Sequence, residues 1–198
     1  MTLFGILLAA AAWFVTFGIE AGNFWVKIGI SVACVCLYAL IVERPRLSFR
    51  ATSLLFGAIS AAALYGIFYA GYVLAPIFVP NAHAHVGTIY ALGEGSSRVW
   101  VCLLLVFVTS PGEEIFWRGF LQERLMRTYG VLPGFLAATA LYGAVHVFSG
   151  NSMLILSALV AGGFWGLLYA FGRNLAPLIV SHALFTAVIF TLAPIGQA

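Results

Sequence analysis

"RVWVCLLLVFVTSPGEEIFWRGFLQERLMR", residues 98–127, reads as one apolar helix that carries two adjacent glutamates and an arginine through its middle. Counted from Arg98 at 1.5 Å per residue, Glu113 lies about 22 Å along, well inside a hydrocarbon layer about 30 Å thick. A charge at that depth costs roughly 2.5–3.5 kcal/mol, so such residues persist where they pair with one another or do chemistry. Glu114 and Arg118 stand at i and i+4 and face each other, whereas Glu113 points about 100° away with no partner in the local sequence. Pro111 and Gly112, just ahead of the glutamates, remove a backbone donor and loosen the helix, which opens a route for water.

The rest of the chain belongs to the same solvent. Its 198 residues are 63% hydrophobic and 8% charged, with a mean hydropathy of +1.08, which is the composition of a polytopic membrane protein. About seven spans can be drawn, at 3–19, 24–42, 51–79, 98–127, 131–148, 152–172 and 174–195. The fold expected is an all-α transmembrane helical bundle, a single integral membrane domain over 1–198, with its functional cavity between helices of the C-terminal half. "LFGILLAAAAWFVTFGI" (3–19) has no basic leader and no A-x-A cleavage pattern, so it reads as a retained span. "ERPRLSFR" (43–50) separates the second and third spans, and "PNAHAHVGTIYALGEGSS" (80–97) reads as a polar-leaning loop.

Arg44, Arg46, Arg50, Arg124, Arg127 and Arg173 all fall on one side if crossings alternate, and the positive-inside rule makes that side cytoplasmic. The N-terminus is then cytoplasmic, and the expected location is a bacterial or archaeal cell membrane. Lys27 and Arg98 lie at the other side. No basic block suggests nucleic acid. Cys34, Cys36 and Cys102 sit in apolar runs without ligand spacing and read as small core hydrophobes. His83 and His85 lack a third ligand nearby, and Gly162, Gly163 and Gly166 with Ala158 form a small-residue pattern suited to close helix packing.

His146 and His182 are the two histidines within spans, and with Glu113 they place three ionisable groups on three spans. Thr186 follows His182 at i+4, on the same helix face. There is no Asp in the chain, which removes an aspartyl protease, and neither span histidine is followed by Glu in an HExxH pattern. Ser149 in "FSGN" lacks the usual setting of a serine nucleophile. A water activated by a carboxylate remains.

"EEIFWR" (113–118) resembles the EExxxR motif of the CPBP family (CAAX protease and bacteriocin-processing, or Abi, proteins), which includes the type II CAAX prenyl endopeptidases. "YGAVH" (142–146) is similar to their FxxxH motif with Tyr142 in place of Phe, and "HALFT" (182–186) to HxxxN/D with Thr186 in place of Asn or Asp. "GLLYAFGRNLAPLIVSH" (166–182) resembles the family's connection into its last motif helix, so the likeness covers about 98–190. The resemblance implies an intramembrane endopeptidase acting on a membrane-anchored or lipid-modified protein or peptide, in the CAAX manner or at a C-terminal processing signal. Glu113 would be the base that activates water, His146 would help to hold that water, and His182 with Thr186 would stabilise the oxyanion, with Glu114 and Arg118 in support. No cofactor is expected; if a divalent metal such as zinc were used, its ligands would be Glu113, His146 and His182. A non-proteolytic binding or immunity protein of the same fold is the alternative, and an ion-coupled transporter a third. Counted from span ends, Glu113 lies mid-membrane, His146 towards the outer face and His182 in the inner half, so level, straight helices keep the three apart.

Overall fold

The computed structural model describes residues 1–196, and these contain helices and no strand. Five helices are long and apolar enough to cross a membrane: α2 (Phe24–Val42), α3 (Ala51–Ile77), α5 (Arg98–Tyr129), α6 (Val131–Ser149) and α7 (Ser152–Gly172). α1 (Thr2–Gly18) and α8 (Ala176–Leu192) are shorter apolar helices. Their bounds lie within a few residues of the seven expected spans. The starts carry side-chain caps: Asn23, Ser97 and Asn151 accept from the backbone N–H groups of Val26, Trp100 and Leu154, which satisfies one of the free donors at each helix N-terminus. Gly130, at φ +95°, turns the chain between α5 and α6 in a conformation that a side chain would oppose.

Residues 80–97 are not the continuous loop that their polar character suggests. Ala82–Ala91 forms a short helix, α4. Val86, Ile89 and Tyr90 repeat at helical spacing and line the cavity described below, while Asn151 Nδ2 holds the helix through His85 O at 2.8 Å and Thr88 Oγ1 at 2.9 Å.

Large apolar side chains such as Leu7, Leu55, Ile59, Phe107 and Phe171 face outward, as expected of a bundle whose outer solvent is hydrocarbon. The cysteines differ from their expected core placement, since Cys34 is exposed and Cys36 and Cys102 are only half-buried. Small and apolar, they cost nothing against lipid.

α5 is the central element: half of its apolar window is buried, against 28–39% for the other long helices. It packs on α2, α6, α7 and α8, and α3 covers α8 from outside. Its turns widen to five-residue hydrogen bonds at Leu105–Thr109 and Glu114–Gln122, on either side of the Ser110–Glu113 turn. Pro111 supplies no N–H at this point, and such wide turns recur at functional sites.

One end of the bundle collects the arginines. Glu43 accepts from Arg124 Nε at 2.9 Å and Arg127 at 2.8 Å, and Glu123 accepts from Arg173 at 2.8 Å. Burial works against the charge on Glu43, but the Arg127 and Arg124 guanidiniums outweigh it and hold its carboxyl below the ordinary range. Asn174 clamps Ser48 through both its backbone groups at 2.9 Å, and Leu175 N–H donates to Arg46 O. The 43–50 loop is thereby tied to the α7–α8 turn. The sequence expectation that these arginines share one side matches this arrangement.

Candidate active site

The cluster is built on α5. Glu114, fully buried, accepts from Arg118 Nη1 at 3.0 Å, the i,i+4 pair read from the sequence. The same oxygen, Oε1, accepts from His182 Nδ1 at 2.8 Å, so this carboxylate also holds the histidine of α8. Arg118 Nη2 donates to Gly162 O at 3.2 Å, and the guanidinium lies over the rings of Tyr142 and Trp165. Gly162 is required there, because a Cβ would meet the Tyr142 ring at 2.7 Å. The small-residue pattern on α7 is thus close packing, now with a polar purpose. Trp165 stacks on His182 with centroids 3.9 Å apart, and its indole N–H is taken by Ser181 at 3.1 Å.

Glu113 leaves this pair, as helix geometry requires. Its Oε2 accepts from Tyr142 Oη at 2.6 Å, while its Oε1 has no protein partner among the described residues and is not sealed in. His182 Nε2 is in the same condition. Both residues line one cavity of about 310 Å³ together with Tyr142, His146, Trp165 and Thr186. An acceptor on α5 and a ring nitrogen on α8 therefore face a common space, which is the arrangement needed to hold a water or a polarised carbonyl between them.

His146 lines the cavity with both nitrogens occupied. Nδ1 lies 2.7 Å from Tyr142 O, which can only accept, and Nε2 lies 3.3 Å from the Trp13 indole N–H, which can only donate. The ring is thus the neutral Nδ1–H form, and to hold a water it must exchange its Trp13 bond. Thr186 Oγ1 bonds to His182 O at 2.9 Å and lies 3.2 Å from Ser110 Oγ; its single proton is shared between holding α8 and any other use.

The three motif residues line one cavity despite their span positions because the helix ends are not level. A Cβ on Gly119 would lie 2.9 Å from Leu175 Cδ1, so α8 begins beside Gly119, well short of the end of α5 at Tyr129. Running antiparallel to α5 from Leu175, α8 carries His182 back to Glu114, where Nδ1 lies 2.8 Å from Oε1. Gly134 packs on the backbone of Met126 in the same way, and α6 then carries Tyr142 and His146 back alongside the glutamates.

Tyr142, Trp165 and Trp13 were not singled out as site residues by sequence. Only Tyr142 carried a signal, a hydroxyl within a span one turn before His146. Among the described residues no group of three or more His, Cys, Asp or Glu side chains is placed to hold one ion. His83 stacks on Tyr72 and His85 faces Ser152.

Residues 95–188 match the family model described as type II CAAX prenyl endopeptidase Rce1-like. The match covers just under half of the chain. It spans α5 to most of α8 and contains Glu113, Glu114, Arg118, His146, His182 and Thr186. Neither a curated protein nor a solved structure matches the chain. The matched family is one of proteases, and together with the apolar helices of the fold the match supports an integral membrane protein that is similar to CAAX proteases.

Proposed function

We propose that this protein is a glutamate-type intramembrane endopeptidase that hydrolyses a peptide bond of a membrane-anchored protein or peptide. The observation that carries the reading is the convergence of Glu113 Oε1 and His182 Nε2 on one cavity, each fixed from behind by a buried partner, Tyr142 and Glu114. Glu114, paired with Arg118, holds His182 Nδ1 from behind and leaves Nε2 directed at the cavity. Glu113 takes a proton from water as its oxygen attacks the scissile carbonyl. The carbonyl oxygen gains the negative charge and is held by His182 Nε2–H, with Thr186 placed beside it on the same helix. The C–N bond then breaks, and Glu113 returns the proton to the leaving amine. The site uses only the chain's own groups, so no metal is invoked.

Purified protein in liposomes, given a membrane-anchored reporter peptide in H2¹⁸O, tests this. Direct attack by water places ¹⁸O in the new carboxyl group from the first turnover. A first turnover carrying ¹⁶O points to an acyl-enzyme and overturns the general-base role. The second reading, a binding or immunity protein of this fold, is favoured by the engagement of the Thr186 hydroxyl with His182 O. It predicts peptide binding without cleavage, equally strong in Glu113→Gln and wild type.

A further inference from the structure

The active-site cavity has a direction. From Glu113 and His182 it runs along Thr109, Leu105, Ile28, Trp25 and Phe24, then under Ile89 and Tyr90 of α4. These residues lead to the end of the bundle where α1, α3 and α8 finish and α2, α5 and α7 begin. Its lining stops short of the opposite end, which is closed by the Glu43, Glu123, Arg124, Arg127 and Arg173 ion pairs and by the clamp between Asn174 and Ser48. A second, more polar cavity of about 690 Å³ adjoins it at the open end, sharing Phe17, Phe24, Ile89, Leu92 and Leu154 as a common wall. Glu20, Lys27, His85 and Asn151 also line it. An apolar chamber that continues past a polar vestibule fits a substrate with one membrane-embedded stretch and one hydrated stretch, and it is also a path for the water that hydrolysis consumes.

The basic residues orient this path. Of nine Lys and Arg, six belong to the closed end, Lys27 and Arg98 to the open end, and Arg118 to the buried cluster. Short loops rich in arginine stay cytoplasmic. We infer that the cavity opens to the non-cytoplasmic face, so the substrate is a membrane-anchored protein that presents its cleavable segment at the outer leaflet after export, with the vestibule under α4 receiving its hydrated part. This rests on the proteolytic reading above.

The test uses a variant with Cys34, Cys36 and Cys102 replaced by Ala, carrying either Ala84→Cys in the vestibule or Leu47→Cys in the arginine-end loop, each assayed before and after labelling. In intact cells a membrane-impermeant maleimide should label Ala84→Cys at once and Leu47→Cys only after permeabilisation. A bulky label at Ala84→Cys should lower cleavage at least tenfold, and the same label at Leu47→Cys should leave it unchanged. If Ala84→Cys does not accumulate, Gly87→Cys on α4, where a side chain would meet nothing, reports the same sidedness. External labelling of Leu47→Cys, or full cleavage by labelled Ala84→Cys, overturns the inference. Cleavage retained by Glu113→Gln would instead overturn the proteolytic assignment while leaving the labelling pattern intact, so the two failures are told apart.

Discussion

Replacing Glu114 by Gln separates support from catalysis. In the native cluster Glu114 Oε1 accepts from Arg118 at 3.0 Å and from His182 at 2.8 Å, and Glu114 and Arg118 are 0% and 2% exposed. Gln keeps the size but removes the charge, which leaves the guanidinium uncompensated in a low-dielectric core. Breaking a buried pair by removing one partner costs about 3–5 kcal/mol. Arg118 still has Gly162 O at 3.2 Å and the Tyr142 and Trp165 rings, and cation–π contacts of roughly 0.5–2 kcal/mol keep the loss near the lower part of that range. About 3 kcal/mol is a large share of a domain stability of about 5–15 kcal/mol, so Glu114→Gln should melt clearly below wild type in detergent and lose activity as His182 is released. Arg118→Met should do the same, and the double variant should be less damaged than the two losses added, by about 1–3 kcal/mol. Glu113→Gln, by contrast, keeps an acceptor for Tyr142, so it should melt like wild type while losing cleavage of the reporter peptide. The assay is a melt and a cleavage measurement on all four proteins. If Glu114→Gln abolishes cleavage with an unchanged melt while Glu113→Gln remains active, the base is the other carboxylate and the reasoning fails.

Thr186→Val removes the hydroxyl beside His182, and turnover should fall roughly 10–1000-fold, as for loss of an oxyanion donor, with the melt unchanged and with Thr186→Ser restoring activity; unchanged turnover in the valine variant excludes Thr186 from the chemistry. Prolonged chelation should leave the activity of purified protein intact, and loss of activity restored by one divalent ion would refute the metal-free mechanism. Because Arg127 and Arg124 lower the pKa of Glu43 in the folded state, its contribution is present above the unfolded carboxyl value, about 4.3, and is lost as pH falls through the lower folded value. The melting midpoint of wild type should therefore drop more steeply than that of Glu43→Gln on acidification from pH 6 to 3, and parallel curves would remove Glu43 from the network.

Much of this protein follows from what its sequence requires of any fold. Long apolar runs must become helices in hydrocarbon, because each backbone group has to be satisfied within its own segment, and this places the seven apolar helices within a few residues. The i,i+4 spacing of Glu114 and Arg118 fixes their pairing, since it depends only on helix geometry. Arginines are costly anywhere but an interface, which gathers Arg44, Arg46, Arg124, Arg127 and Arg173 at one end. The height of one helix against another has no such local rule. Gly119 and Gly134 let α8 and α6 close on α5 short of its end, and that offset brings His182 onto Glu114. The amphipathic pattern of α4 is too short to stand out until a cavity lies beneath it. The partners of Tyr142 and His146, the Glu113 carboxylate and the Trp13 indole, come from helices distant in sequence. Tertiary packing alone selects them, because a buried polar group takes whichever complementary atom the neighbouring helices bring within reach.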